Sequence, residues 1–255
     1  MTHLLACLLA LAAASGAAET ACREEARAEA RYVVCEFDPQ KDDIRLFLND
    51  EMGSPYGDFG PLAAALAAKG EKLAFAMNAG MYLKDRSPAG LYVENGEELK
   101  KISMRDGPGN FHLKPNGVFW IRAEDGRRGA HVTTTEIYQE AAHDVVAYAT
   151  QSGPMLVIDG EIHPKFLVDA TSRKRRNGVG VREDGSVAFV LSDTPVSFYE
   201  FASFFRDELK TPDALYLDGT ISRLYAPALS RNDPGLAMGP IVGVVGRQSE
   251  EGKTP

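Results

Sequence analysis

Turn dipeptides that favour two-residue β-hairpins recur along this chain, and they constrain its fold more than any other feature. Asn-Gly or Asp-Gly occurs at 95–96, 116–117, 125–126, 159–160 and 184–185. These dipeptides suit the positive φ angles that tight antiparallel connections require. Short runs rich in β-branched and aromatic residues lie between them, among them 118–121, 145–150 and 187–191. The pattern predicts a strand-rich fold, with 181–191 as its clearest hairpin.

Helical signals are fewer than strand signals. Residues 61–69 begin with proline and are followed by Gly70, which is typical of a short helix and its end. Ser197 precedes Glu200 by three residues, which is the spacing of a capping box. Less regular helical patterns cover 135–142 and 24–31. The fold class we predict is α+β: a single domain of mixed or antiparallel sheet with two or three packed helices, over residues 19–247.

The charge of the chain limits the partners that it can have. Its 255 residues include 28 Lys and Arg against 36 Asp and Glu, a formal net charge of −8. This acidity gives no electrostatic basis for binding nucleic acid or an anionic membrane surface. The histidines and cysteines follow no zinc-ligand spacing, and the chain has neither a Walker loop nor a Gly-x-Ser-x-Gly motif. We therefore predict no metal site and no cofactor.

The N-terminal segment has the pattern of a secretory signal peptide. Apolar residues at 4–14 are followed by small residues at 15–18, so we expect 1–18 to be removed on export to the periplasm or beyond. Cys22 and Cys35 then remain, and an even pair in an oxidising compartment predicts one disulfide. The alternative is two buried free thiols. At the other end, 248–255 is expected to be a loose tail.

Four segments place a polar residue and a glycine beside a short hydrophobic strand. They are Asn-Ala-Gly-Met-Tyr at 78–82, Ser-Gly-Pro-Met-Leu at 152–156, Arg-Asn-Gly-Val-Gly at 176–180 and Leu-Asp-Gly-Thr at 217–220. Glycine lets the backbone approach a ligand closely, and loops at strand ends carry functional side chains. Asp218 is the most informative of these positions, although Asp-Gly is also a turn dipeptide. Together the segments predict one ligand site.

Individual residues in and near these segments suit a sugar-phosphate ligand. Asn78 can both donate and accept hydrogen bonds, as sugar hydroxyls require, although Asn78 and Tyr82 are alternatively a loop cap and a core residue. Arg176 ends a basic run that begins at 173, and it can hold a phosphate bidentately if its guanidinium turns inward. A solvated loop is the alternative for this run. His112 is a further candidate, with a structural histidine as its alternative.

In their order and approximate spacing the four segments resemble those of the phosphodiester glycosidase family, and the similarity extends over 73–246. The family often has Asn-Gly-Gly-Phe-Phe at the position of 78–82 and Arg-Thr-Ala-Ile-Gly at that of 176–180. Its Asp-Gly-Gly-Gly-Ser-Ser corresponds here to Asp-Gly-Thr-Ile-Ser-Arg at 218–223. The resemblance implies an exported bacterial hydrolase that cleaves a sugar 1-phosphodiester in cell-envelope or extracellular glycans.

The chemistry that this resemblance implies gives the candidate residues their roles. Cleavage develops positive charge on the sugar and negative charge on the departing phosphate, which a carboxylate and a cation complement. The catalytic residues would be Asp218 and Arg176. Substrate-binding roles would fall to Asn78, Gly80, Tyr82, Ser152, Gly153, Gly219 and His112. A phosphomonoester leaves with a pKa near ~6, so it needs little protonation, although Asp159 is a candidate second acid.

Two alternatives belong to other functional classes. A metal-dependent phosphoesterase would use Asp218, Asp159, His112 and His163. A noncatalytic glycan or cell-envelope binding module would keep the pocket without turnover. In every case the expected partner is a sugar phosphate or a glycan.

Overall fold

The structure is a computed structural model, and it describes residues 21–141 and 145–247. The expected signal peptide at 1–18, the expected loose tail at 248–255 and His143 lie outside the described residues. Within the described ranges, no helix has both the length and the apolar character needed to cross a membrane.

Strands form most of the regular structure in the described ranges. In chain order they are β1 Cys22–Arg27, β2 Ala30–Phe37, β3 Asp43–Phe47, β4 Glu71–Asn78, β5 Tyr92–Glu94, β6 Glu97–Lys100, β7 Gly117–Glu124, β8 Arg127–Thr134, β9 Val146–Ser152, β10 Met155–Ile158, β11 Glu161–Ile162, β12 Asn177–Val181, β13 Val187–Ser192, β14 Asp213–Asp218, β15 Leu224–Ala226, β16 Arg231–Asn232 and β17 Ile241–Arg247. The α-helices are α1 Phe59–Ala68, α2 Thr135–Glu140 and α3 Phe198–Ser203. Single helical turns occur at Asn110–His112, Phe204–Glu208 and Pro227–Leu229.

The strands form three antiparallel sheets. The first has the order β1-β2-β13-β12-β14-β10-β11, the second β16-β15-β4-β17-β3, and the third β6-β5-β9-β7-β8. Three short helices pack on this sheet framework, so the predicted α+β fold is confirmed.

Of the turn dipeptides at 95–96, 116–117, 125–126, 159–160 and 184–185, four connect paired strands. They join β5 to β6, β7 to β8, β10 to β11 and β12 to β13. Asn116-Gly117 does not form a hairpin, so that expectation was wrong. Asn116 instead donates its side-chain amide to the Phe111 carbonyl at 2.9 Å, and β7 begins at Gly117. A Cβ at Gly117 would lie 2.3 Å from the Met155 sulfur, so close packing accounts for this glycine.

Two helices, α2 and α3, begin where the sequence predicted, α1 begins slightly earlier, and one predicted helix is absent. A capping box opens α3, with Ser197 and Glu200 exchanging hydrogen bonds, and α2 begins at Thr135 as predicted. Helix α1 starts two residues before the predicted proline, because Asp58 caps it at Phe59. The helical prediction for 24–31 was wrong: these residues lie in the β1–β2 hairpin, which adds an edge to the first sheet.

A disulfide joins Cys22 to Cys35 across that hairpin, as predicted. The two cysteines are direct cross-strand partners, with Cα atoms 4.0 Å apart. The bond therefore ties edge strand β1 to β2, whose other edge pairs with β13.

One hydrophobic core joins the three sheets. Phe189 of β13, Phe75 of β4 and Phe119 of β7 come from different sheets, and each is 1% exposed. The ring of Phe189 lies 5.2 Å from that of Phe75 and 5.7 Å from that of Phe119, measured between centroids. Such pairs add stability beyond the burial of their area. Packing of the sheets around this core places the ends of their inner strands at a common rim.

Candidate active site

The rim where the sheets meet holds the polar residues of all four sequence segments. Asn78 ends β4 of the second sheet, Ser152 ends β9 of the third, and Asp218 ends β14 of the first. Asn177 begins β12 and lies directly opposite Asp218. Residues far apart in the chain therefore meet because three sheets share one core.

Asn177 connects these strand ends. Its Oδ1 accepts hydrogen bonds from the Asp218 backbone amide at 2.9 Å and from Asn78 Nδ2 at 3.1 Å. Its own Nδ2 donates to the Asn78 carbonyl at 3.0 Å. Asn177 is fully buried, and a buried amide with all its groups bonded fixes local geometry. Asn177 was not among the candidates selected from the sequence, although an Asn beside the glycine of one of the four polar segments was the available signal.

Asp218 presents a half-buried carboxylate at this junction. Its Oδ1 accepts from the backbone amides of Gly219 at 2.5 Å and Thr220 at 3.0 Å. Burial raises the pKa of Asp218 above its ordinary value, and the amides that follow it in the chain oppose that shift. No Lys or Arg in the described ranges forms an ion pair with this carboxylate. It is therefore a negative charge that is available to a ligand.

Ser152 and its neighbour Gly153 have structural partners. Ser152 Oγ donates to the Leu217 carbonyl at 3.0 Å, which ties β9 to the end of β14 one residue before Asp218. A Cβ at Gly153 would lie 2.6 Å from the Asn116 Cβ, so close packing requires glycine there. Ser152 therefore holds the strand end that carries Asp218, whereas Gly153 packs against Asn116 and the Asn110–His112 turn.

The two other predicted glycines lie where a side chain does not fit. Gly80 has φ +131°, and a Cβ there would lie 3.0 Å from Thr150 Oγ1. Gly219 passes so close to Tyr216 that a Cβ would lie 2.3 Å from the phenol oxygen. The chain after Asp218 thus folds directly over Tyr216.

Tyr82 lies at the same rim, half-buried. Its hydroxyl donates to the Ala237 carbonyl at 2.8 Å, and the Arg86 guanidinium lies 5.4 Å from the ring centroid. Burial is the main cause that raises the pKa of Tyr82; Arg86 lowers this pKa and the Asp218 carboxylate raises it. The electrostatic influence of Asp218 on Tyr82 indicates that the two side chains share one neighbourhood.

Arg176 is buried, only 2% exposed, while its neighbours in the basic run are exposed. Its guanidinium stacks on the Phe198 ring with Cζ 3.7 Å from the centroid. It donates to the Val196 carbonyl at 2.9 Å, the Ser172 carbonyl at 3.2 Å and the Tyr216 hydroxyl at 3.5 Å. All these acceptors are neutral, and burial lowers the pKa of Arg176. The site wall therefore contains a positive charge with no carboxylate hydrogen-bonded to it among the described residues.

Tyr216 stands between this cation and the carboxylate. Burial raises the pKa of Tyr216 well above the ordinary value, the nearby Arg176 lowers it, and the Asp218 carboxylate raises it. The Arg176 guanidinium turns inward, which was the condition for the predicted phosphate role, but it lies behind the Tyr216 phenol. Nothing in the sequence marked Tyr216 beyond its place in an apolar strand.

The loop that departs from the family pattern is anchored at its end by two residues that sequence reasoning did not select. Ser222 Oγ donates to the Asp218 carbonyl at 3.0 Å, and the Arg223 amide donates to Asn78 Oδ1 at 3.1 Å. The Arg223 guanidinium donates to Asp58 Oδ2 at 2.9 Å and to the Asp233 carbonyl. Side-chain contacts thus hold the loop at 218–223 where the family has consecutive glycines.

The remaining candidates do not join Asp218. His112 Nδ1 lies 3.0 Å from the Arg105 carbonyl, and its ring faces a neighbouring groove. Asp159 is hydrogen-bonded through its amide to Asp213, at the opposite end of β14 from Asp218. His163 is buried and stacks on Phe166. The four residues of the metal-phosphoesterase alternative therefore do not form one cluster, and the described ranges contain no other group of three or more potential metal ligands.

Comparison with known proteins gives this geometry a context. The chain is 35% identical over 190 residues to the uncharacterized protein YigE of Escherichia coli K12, covering 73% of this chain and 71% of that protein. Its fold is similar to the catalytic domain of zebrafish N-acetylglucosamine-1-phosphodiester alpha-N-acetylglucosaminidase, with TM-score 0.60 and 13% identity over 88% of this chain and 81% of that one. A protein of Burkholderia pseudomallei is similar in fold at TM-score 0.57 and 12% identity, over 84% of this chain and 74% of that one.

A family model matches most of the described chain. The phosphodiester glycosidase model covers residues 71–245, a stretch that includes all four polar segments and every residue of the rim. The chain therefore belongs to the phosphodiester glycosidase family.

Proposed function

We propose that this protein is an exported hydrolase that cleaves the glycosidic bond of a sugar 1-phosphodiester in cell-envelope or extracellular glycans. One observation carries the proposal: Asp218 presents a half-buried carboxylate, with no cation paired to it among the described residues, where three sheets meet. Family membership supports the reaction class. The Cys22–Cys35 disulfide supports an oxidising compartment, the periplasm or outside the cell.

The reaction adds water to the anomeric carbon and breaks the bond between that carbon and the phosphate oxygen. The products are a free sugar and a phosphomonoester. Asp218 would stabilise positive charge that develops on the sugar ring, because a carboxylate in a partly desolvated site interacts strongly with a nearby cation. The phosphomonoester has a second pKa near ~6, so it departs without full protonation.

Arg176 would act at the phosphate end. Its guanidinium has only neutral hydrogen-bond partners among the described residues, so its charge adds to a positive potential on the Tyr216 side of the site. The Tyr216 hydroxyl is the group through which this charge would reach the phosphate. Tyr82 would fix the substrate at the rim. Asn78, which is fully buried, would hold the strand ends in place together with Ser152 and Gly219.

The decisive experiment compares two Asp→Asn variants with the wild type on a panel of sugar 1-phosphodiesters. Asp218→Asn keeps the shape and the acceptor oxygen of the side chain but removes the charge, so we expect turnover to be lost while ligand affinity stays within a few fold. Asp159→Asn is the matched control, because Asp159 is also followed by glycine but lies at the far end of β14. It should keep the wild-type rate.

The outcomes distinguish a hydrolase, a glycan-binding module and a metal-dependent enzyme. If Asp218→Asn hydrolyses as fast as the wild type, Asp218 is a turn residue and the catalytic proposal is wrong. If the wild type binds these ligands in calorimetry but never cleaves them, the protein is a glycan-binding module on the same fold. Loss of activity with a chelator would add a metal requirement that the side-chain geometry at Asp218 does not suggest.

A further inference from the structure

A basic groove opens beside the candidate active site. It has a volume of about 800 Å³, and its lining includes Lys100, Lys101, Arg105 and His112. Among the described residues no carboxylate lines it, although the whole chain carries a net charge of −8. A concentration of positive charge in an acidic protein favours an anionic ligand.

The cations of this groove are available for binding. Lys101 and Arg105 are exposed, and neither side chain forms an ion pair within the described residues. Acidic residues flank the groove outside its described lining. Asp106 is paired with Lys114 at 2.8 Å, Lys100 contributes to the lowered pKa of Asp85, and Glu98 lines an adjacent cavity that shares Ile102 with the groove. Most arginines elsewhere in the described chain are paired with carboxylates, as Arg231 is with Asp193 at 2.8 Å.

The groove also has an apolar component. Leu83 and Met104 line it and are 49% and 37% exposed, and Ile102 lies between the basic residues. A groove that combines exposed apolar side chains with cations suits a polymer in which carbon-rich units alternate with anionic groups. The CH groups of a sugar or polyol would contact the apolar side chains, and phosphates would contact the groove cations.

Two elements connect the groove to the candidate active site. Leu83 follows Tyr82, whose pKa is raised in part by the Asp218 carboxylate. On the other side, His112 belongs to the Asn110–His112 turn, which packs on the active-site strand end: a Cβ at Gly153 would lie 3.0 Å from the Phe111 carbonyl oxygen and 3.3 Å from that of Asn110. Residues on both flanks of the candidate active site are therefore followed in the chain by residues that line the groove.

We propose that this groove binds further phosphate groups of the substrate, so that the preferred substrate is a chain of sugar or polyol units joined by phosphodiesters rather than a single sugar phosphodiester. This inference rests on the proposed function and specifies its substrate class. One scissile linkage occupies the rim near Asp218, and the next phosphates along the chain contact Lys101 and Arg105.

The test uses charge reversal in the groove. The double variant Lys101→Glu with Arg105→Glu is compared with a control of equal charge change, Arg127→Glu with Lys165→Glu, whose residues are exposed and outside the groove lining. Binding of a fluorescein-labelled oligo(glycosyl 1-phosphate) is followed by anisotropy in an Asp218→Asn background, which prevents its consumption. We expect the groove variant to bind at least about tenfold more weakly at low salt, with the control within about twofold to threefold of the parent.

A kinetic arm separates this inference from the proposed function. On a sugar 1-phosphodiester with a small neutral alcohol, kcat/KM of the groove variant should equal that of the wild type, while kcat/KM on the oligomer falls about tenfold. If the wild type cleaves the small substrate but oligomer binding does not depend on the groove, the inference is overturned and the hydrolase proposal stands. If nothing is cleaved but oligomer binding still requires Lys101 and Arg105, the hydrolase proposal fails and the groove assignment stands.

Polymers of other composition test the chemistry of the ligand. A neutral oligosaccharide should show no groove-dependent binding, and polygalacturonate should bind more weakly than the phosphate oligomer. Equal binding of the carboxylate polymer would overturn the assignment to phosphate.

Discussion

Asn78 and Asn177, which are 99 residues apart in the chain, exchange two hydrogen bonds: Asn78 Nδ2 donates to Asn177 Oδ1 at 3.1 Å, and Asn177 Nδ2 donates to the Asn78 carbonyl at 3.0 Å. The exchange joins the end of β4 in the second sheet to the start of β12 in the first. The backbone amide of Asp218 completes the arrangement by donating to the same Asn177 oxygen at 2.9 Å. The position of the candidate catalytic carboxylate therefore depends on an amide that touches no reacting atom.

Asn177→Ala should reduce both stability and activity. It leaves the Asp218 amide and the Asn78 amide group without their acceptor in a buried place, and each such loss costs about 1–3 kcal/mol. We expect the free energy of unfolding to fall by roughly 2–4 kcal/mol and kcat on a sugar 1-phosphodiester to fall at 20 °C, where the variant is still folded. Denaturant unfolding and steady-state kinetics measure the two effects.

Asn116→Ala is the matched control for that prediction. Asn116 is equally buried and donates to the Phe111 carbonyl, but it does not contact the Asp218 strand end. The Asn116→Ala variant should lose stability while keeping the wild-type kcat. Equal losses of kcat in both variants would show that Asn177 acts only through general stability.

Asp218→Asn should raise stability at neutral pH while it removes activity. Burial raises the folded-state pKa of Asp218 above the unfolded value of 3.8, so the ionised group opposes folding at neutral pH. This cost is complete above the folded-state pKa and disappears as the pH falls toward 3.8. Thermal unfolding should show a higher Tm for the variant at pH 7, with the difference narrowing in acid. A variant less stable than the wild type at pH 7 would contradict this assignment.

Arg176→Met should weaken ligand binding more than it weakens the fold. The guanidinium is buried among neutral acceptors and burial lowers the pKa of Arg176, so its charge contributes little net stability. Because this charge acts on the phosphate through the Tyr216 hydroxyl, its loss should cost about 1–1.5 kcal/mol, roughly tenfold in affinity and less than the loss of a direct charge-assisted hydrogen bond. Calorimetry with a sugar 1-phosphodiester measures this loss. Arg173→Met, which removes an exposed partner of Glu200, should bind normally.

Reduction of the disulfide should loosen the β1–β2 hairpin. Cys22 and Cys35 are 13 residues apart, and closing a loop of this size contributes up to roughly 3 kcal/mol. The Cys22→Ser, Cys35→Ser double variant should therefore show faster amide exchange in β1 and a lower Tm. Non-reduced protein should have a mass lower by two hydrogens than reduced protein. Free alkylation of both thiols without reductant would contradict the bond.

His163 should make the fold sensitive to mild acid. Its Nε2 is buried without a hydrogen-bond partner among the described residues, and burial lowers its folded-state pKa below 6.5. The unfolded chain then binds a proton more readily than the folded chain, so stability falls as the pH drops below about 6.5 toward the folded-state pKa. His163→Phe should flatten this part of the stability curve, since Phe can retain the stacking on Phe166. Parallel curves for variant and wild type would rule out this role.

The sequence alone determined the secondary structure where the signal was local. The hairpin dipeptides at 95–96 and 184–185 and the capping box at Ser197 depend on backbone angles and hydrogen bonds between near neighbours, and the structure has the predicted turns and helix start. The 24–31 segment was mispredicted because its hairpin is held in the sheet by the pairing of β2 with the distant strand β13 and by a disulfide. The four polar segments also marked the rim, because each combines a strand end with a glycine.

Tertiary structure alone decided which groups face one another at that rim. Sequence spacing does not show that Arg176 lies under Phe198 and behind Tyr216, because the stacking depends on α3 packing against the first sheet. It likewise does not show that Asn177 rather than Asn78 receives the Asp218 amide, or that Asp159 lies at the far end of β14. Local patterns fix turns and caps through short-range bonds, whereas the meeting of three sheets around Phe75, Phe119 and Phe189 sets the long-range geometry from which the candidate site is built.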